Sequence, residues 1–117
     1  MTENHCENNL EIFGTWEILK QFYNENWSQN ALSFKKIGDY DDPEVINWDK
    51  GLFESKKDSL NYIFLTKEEP PRQWLKKIAE KYKTLDFTLD YQNREKMMSG
   101  QITYKNGEIF YNEEELL

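Results

Sequence analysis

A single cysteine, Cys6, stands in a chain of 117 residues, so no internal disulfide, four-cysteine zinc site or cysteine-held iron–sulfur cluster can form. That scarcity fits a reducing compartment. Histidine is equally scarce: His5 is the only one, and no second imidazole exists to complete a tetrahedral site with it. Cations are in deficit, since 15 Lys and Arg against 22 Asp and Glu leave a net charge of −7. Sequence-independent nucleic-acid binding neutralises phosphates with a cationic surface, so direct nucleic-acid binding is not expected and a basic protein partner is the better match. Long apolar runs are missing too. None approaches the ~20 residues of a membrane span, and Met1–Cys6 carries neither a basic region nor an apolar stretch behind it, so no membrane and a cytoplasmic location are expected.

Aromatic side chains are plentiful. They make up 15% of the chain, and each large ring buries roughly 150–250 Å², so a single domain spanning 1–117 can build a core despite a hydrophobic fraction of 38%. Asn8–Gly14 alternates Leu10 and Ile12 with polar residues, the period of a half-buried strand. Thr15 then sits as an N-cap, and Ile18, Leu19, Phe22 and Tyr23 form one face of a helix over about 15–26. Residues 31–37 read as a second strand closed by Gly38-Asp39. The segment 39–59 is an irregular acidic and aromatic excursion, with Pro43 and Gly51 interrupting any period. It holds too many large apolar groups for a disordered linker.

Residues 60–66 are apolar on both faces and predict a central strand. Pro70-Pro71 opens a helix whose stripe is Trp74, Leu75, Ile78, Ala79 and Tyr82. Leu85, Phe87, Leu89 and Tyr91 alternate strictly with polar residues, predicting an antiparallel strand. Asn106-Gly107 joins 100–105 to 108–111 as a two-residue hairpin, pairing Lys105 with Glu108 and Tyr104 with Ile109. Residues 112–117 read as a tail that adds a helical turn or frays. The order β-α-β-(excursion)-β-α-β-β contains the split β-α-β unit of a ferredoxin-like sandwich, an α+β antiparallel sheet with two helices on one face plus a C-terminal hairpin.

The opening Asn4–Gly14, the block Phe64-Leu65-Thr66, Pro70-Pro71, Trp74-Leu75, Ile78–Tyr82, Leu85 and Phe87-Thr88-Leu89, and the hairpin Gly100–Glu108 together resemble the YubB-like proteins. These are small proteins of phages, plasmids and large DNA viruses with a ferredoxin-like domain and no established activity. The resemblance spans nearly the whole chain and implies that fold and a viral or mobile-element origin. Two stretches depart from it. Asn47-Trp48-Asp49-Lys50-Gly51 is a partial counterpart of a tryptophan-rich stretch, and Lys67-Glu68-Glu69 stands where the family often has an aromatic and a serine.

Candidate chemistry is thin. His5, Cys6 and Glu7 are ligand-type residues, but neighbours on an extended segment point to opposite faces. The same adjacency denies Cys6 and His5 the geometry of a nucleophile and its oriented base. Asp39-x-Asp41 begins like a calcium loop yet lacks its central glycine and closing glutamate. No catalytic residue, metal or cofactor is assigned. The expected partner-binding residues are Asp39, Tyr40, Asp41, Asp42, Glu44 and Trp48, an acidic and aromatic cluster within the excursion. The expected function is a non-enzymatic viral or mobile-element accessory protein acting through protein–protein contacts in the host cytoplasm, for example against a host defence factor. The alternatives are a virion-associated structural or packaging protein and a small enzyme. The hairpin, as a sheet edge, also permits a homodimer.

Overall fold

The computed structural model describes residues 5–28, 31–34, 43–48 and 58–116. Strand β1 (His5–Phe13) leads into helix α1 (Trp16–Asn26), followed by two two-residue strands, β2 (Trp27–Ser28) and β3 (Ala31–Leu32). Then come β4 (Glu44–Trp48), β5 (Ser59–Lys67), α2 (Arg72–Lys81), β6 (Asp86–Asn93), β7 (Met98–Lys105) and β8 (Glu108–Leu116). Six strands form one sheet in the order β4-β5-β1-β6-β7-β8, and every neighbouring pair is antiparallel. The first four of these are the split β-α-β arrangement of a ferredoxin-like sandwich, and β7 and β8 extend it as a meander.

Strict alternation places one side of each strand in the core. Across the sheet, Leu60, Ile12, Phe87 and Tyr104 form one row, and Tyr62, Leu10, Leu89 and Ile102 the next. All are buried. Both helices cover this face: Leu19 and Phe22 reach down from α1, and Trp74, Leu75, Ile78 and Ala79 from α2. Phe22 is a hub, with ring centroids 5.3 Å from Tyr82, 6.1 Å from Phe87 and 6.3 Å from Tyr62, separations at which aromatic pairs attract beyond simple area burial. Asn26, buried at the end of α1, donates to the Phe22 carbonyl and the Tyr82 hydroxyl, each at 3.0 Å. That hydroxyl in turn donates to Glu25.

Both helices stand where their patterns predict them. In the hairpin Lys105 pairs with Glu108 and Tyr104 with Ile109. Asn106 and Gly107 take φ of 55° and 77°, the left-handed geometry that Asn-Gly tolerates.

Three expectations need correction. The strand expected over 31–37 contributes only Ala31–Leu32, paired with Trp27–Ser28 outside the main sheet; residues 35–37 lie outside the described residues. Leu32 and Phe34 alternate because both are buried, Phe34 stacking on Trp74 at 4.1 Å, and not because they extend the sheet. The second strand of the sandwich is instead β4, inside the supposed irregular excursion 39–59. Its register slips between Val45 and Asn47. A bulge of that kind inserts Ile46 and breaks the period of two that a strand reading needs. Finally, 112–116 is neither a helical turn nor a frayed tail. It continues β8 opposite Met98–Ile102, because the sheet edge supplies backbone partners that the acidic composition does not advertise.

Candidate functional site

The face of the sheet away from the helices is uncovered among the described residues, and the register sorts its side chains into rows. One row runs Glu44, Leu65, Glu7, Gln92, Ser99, Glu115, and the next Asn47, Ile63, Asn9, Asp90, Gln101, Glu113. Toward the far end lie Glu11 and Asp86, each on the same face of its strand. The cations set against these carboxylates on the strands of this face are Lys67 and Lys105. Short polar contacts tie neighbouring strands: Asn61 Nδ2 donates to Asn9 Oδ1 at 2.6 Å and Gln101 Nε2 to Asp90 Oδ1 at 2.8 Å. Over β6, β7 and β8 the surface dips into a shallow hollow of about 380 Å³. Asp90, Ser99, Gln101, Tyr111, Glu113 and Glu115 line it.

This is the opposite of a nucleic-acid platform on such a sheet, which stacks bases on aromatic rings beside cationic side chains. Glu7, Asn9 and Asp90 occupy the centre. The carboxylates of these rows are separated from one another across the sheet by neutral residues, and the field they sum to attracts a cationic surface.

At one end of the helix-covered face a second polar cluster joins α2, β6 and β8 with the segments before α2 and after β6. Arg72, at the start of α2, bonds Glu69 through Nη1 at 3.0 Å. Its Nη2 reaches Glu114 of β8 at 2.5 Å and the Tyr91 hydroxyl at 3.1 Å. Tyr91 Oη donates to Glu114 at 2.8 Å, and Lys96 Nζ bonds Glu69 at 2.9 Å. The hydrogen bonds from Lys96 and Arg72 hold the Glu69 carboxyl below the usual range. Burial, then the bond to Glu114, raises the Tyr91 phenol. Every carboxylate here has a cationic or phenolic partner, so the cluster acts as a clamp that fixes the β8 edge to α2 and the sheet, not as an acid–base pair.

Beneath the clamp, buried Asn8 donates to the Cys6 carbonyl at 3.1 Å, the Phe64 carbonyl at 3.4 Å and Thr66 Oγ1 at 3.0 Å. Glu68 holds a left-handed φ of 59°, and its carbonyl accepts from Asn93 Nδ2 at 2.6 Å.

Gly100 makes room for the clamp. A Cβ there would fall onto the Oη and Cζ atoms of Tyr91 and within 2.6 Å of the Glu113 carbonyl oxygen.

Of the expected partner-binding residues, Asp39, Tyr40, Asp41 and Asp42 lie outside the described residues. Glu44 is exposed on β4, and Trp48 ends the same strand. Cys6 is fully buried and Glu7 exposed on the other face. Burial pushes the Cys6 thiol up to about 11, away from the thiolate that metal binding or nucleophilic attack requires. Among the described residues no three His, Cys, Asp or Glu side chains converge on a common metal position.

The open face was within reach of the sequence, since Glu7, Asn9 and Glu11 alternate with core residues. What the sequence does not carry is the register that aligns them with Asp90 and Glu113. The clamp leaves one local signal, Glu69 three residues before Arg72.

A family model described as "Ferredoxin-like domain in Api92-like protein" matches residues 44–115. No curated protein and no solved structure matches the chain. The matched span runs from β4 to β8 and leaves out β1, the strand that lies between β5 and β6.

Proposed function

The chain belongs to the family of ferredoxin-like domains in Api92-like proteins, and from that premise we propose that it is a non-enzymatic accessory protein of a virus or other mobile element, similar in kind to the YubB-like proteins. It works in the host cytoplasm by binding a basic protein. The observation that carries this reading is the uncovered sheet face, where Glu7, Glu44 and Glu115 align in one row and Asp90 and Glu113 in the next. The chain's net charge of −7 is then a local feature with a direction, suited to steering a cationic partner onto one face. Inhibition of a host defence factor is the concrete form, the partner being one that otherwise meets nucleic acid.

The test is affinity capture from the native host, followed by mass spectrometry, with the native chain beside a Glu7→Lys/Glu11→Lys variant. Both positions are exposed on the open face, Glu7 at its centre and Glu11 toward its far end, so neither substitution touches the core. A basic protein is expected with the native chain, weakened by the double charge reversal and by raising salt. Capture unchanged by both treatments would sink the proposal.

A further inference from the structure

Resting on that contact-mediated reading, we propose that β8 is a docking edge that takes an extended basic segment of the partner protein as a seventh strand. The strand order ends at β8, which runs nine residues and contains no proline or lysine. Edge strands present unpaired N–H and C=O groups, and natural proteins blunt them with shortness, bulges, Pro or charged side chains; the charges on β8 are all carboxylates, which repel another acidic edge and admit a basic one. The opposite edge, β4, is blunted in this way: it is five residues long and bulged. Along β8 the register shift opposite Thr103 and Tyr104 makes Phe110 a bulged residue, which leaves 111–116 as the regular stretch for pairing.

Its side chains divide the edge in two. Ile109, Phe110 and Tyr111 are 54%, 67% and 42% exposed, an apolar run that a hairpin end does not need. Glu113, Glu114 and Glu115 follow directly. A segment with apolar residues opposite 109–111 and Lys or Arg beside Glu113 and Glu115 would cover the first half and neutralise the second, Glu114 being already held by Arg72. The attraction of Phe110 for a cation is already in use, with Lys105 Nζ 4.4 Å from its ring centroid.

A second copy of the chain fits worse. Full-length antiparallel self-pairing, centred on Asn112, places Glu113, Glu114 and Glu115 of each copy opposite Tyr111, Phe110 and Ile109 of the other, so no carboxylate meets a cation. Parallel pairing puts glutamate against glutamate, which is destabilising. The edge is also preorganised, because Arg72 and Tyr91 both hold Glu114. Little ordering is left for a partner to impose, the condition under which strand addition binds well.

The probe is a synthetic decapeptide with a Val/Tyr half and a Lys/Arg half, titrated into the isotopically labelled full chain. Its twin carries N-methyl groups on alternate residues, in either register; it keeps every charge and loses the ladder. The expected result is slowed amide exchange across Glu108–Leu116 with the first peptide. Affinity should fall by about tenfold or more for the methylated twin and for Glu113→Lys/Glu115→Lys, a difference of about 1.4 kcal/mol per decade.

Equal binding of the two peptides overturns strand addition and leaves the open-face reading standing. So does binding without protection of β8, and so does no binding at all. A concentration-dependent dimer by light scattering, abolished by Phe110→Lys, would replace the basic segment with a second copy. The open-face reading fails by its own route, through capture indifferent to Glu7→Lys/Glu11→Lys.

Discussion

Replacing Gly100 with alanine adds one methyl group at the most crowded point of the sheet. That methyl would clash with Tyr91 Oη and Cζ and sit 2.6 Å from the Glu113 carbonyl oxygen. Ordinary van der Waals contact needs close to a further ångström, so either the Tyr91 ring swings away or β8 lifts from β7. Either movement breaks the contacts of Tyr91 with Glu114 and Arg72. Overpacking a tight site costs about 1–3 kcal/mol. Two hydrogen bonds to charged but half-exposed partners add roughly 0.5 kcal/mol each after screening. A loss of about 2–4 kcal/mol is therefore expected, a large part of a small domain's stability. Urea unfolding followed by tryptophan fluorescence reads it as a lower midpoint at unchanged slope. Tyr91→Phe separates the contributions, because it keeps the ring and removes only the hydroxyl, costing about 1 kcal/mol. Tyr91→Ala removes the ring from the path of the new methyl, so Gly100→Ala with Tyr91→Ala should cost at least about 1 kcal/mol less than the sum of the singles. A Gly100→Ala protein within about 0.5 kcal/mol of the native chain, or strict additivity of the pair, refutes the reasoning.

Alkaline pH tests Cys6. Its folded thiol is raised to about 11 from an ordinary 9.0, so the unfolded chain loses its proton first. The contribution is intact below about 9 and is lost as pH rises toward 11, by about 2–3 kcal/mol at 1.4 kcal/mol per unit. Cys6→Ala should flatten that decline; parallel curves for the two proteins from pH 8 to 10.5 would contradict it. Gly107→Ala places a side chain at φ 77° and should cost about 1 kcal/mol, seen as a lower thermal midpoint. Glu68→Gly relieves a non-glycine residue at φ 59° and should stabilise by about 0.5–1 kcal/mol, whereas any loss in the same melt would show that the Glu68 side chain contributes more than its strain costs.

Some of this architecture is legible in the sequence because the signal is local. The stripe Trp74, Leu75, Ile78, Ala79 repeats at helical spacing, and α2 follows it. Asn106-Gly107 has one low-energy turn available, and the register Lys105 to Glu108 follows from the turn. The failures are non-local. Val45 and Asn47 lose the period of two because the bulged Ile46 sits between them, and a bulge is set by the partner strand β5. Asn112–Leu116 lacks strand-forming residues, yet β7 and the clamp make it a strand. Leu32 and Phe34 alternate like a strand because Trp74, forty residues away, receives Phe34. The clamp itself joins residues 69, 72, 91, 96 and 114, a set that no spacing rule groups.

The same sorting shows where the excess of acid lies. Some carboxylates are consumed by the fold: Glu69 and Glu114 by Arg72, Tyr91 and Lys96, and Glu25 by the Tyr82 hydroxyl. Among the described residues Glu7, Glu11 and Glu115 have no such partner, and they lie exposed on one face. Charge that served only solubility would be spread over helices, turns and both sheet edges with cations interspersed. Here the two helices do carry both signs, Glu17, Glu25 and Glu80 beside Lys20, Arg72, Lys76, Lys77 and Lys81, whereas the strands of the open face set Glu7, Glu11, Glu44, Asp86, Asp90, Glu108, Glu113 and Glu115 against Lys67 and Lys105. The anionic excess of the described residues therefore lies on the open face, and that asymmetry is what the proposed steering of a basic partner draws on.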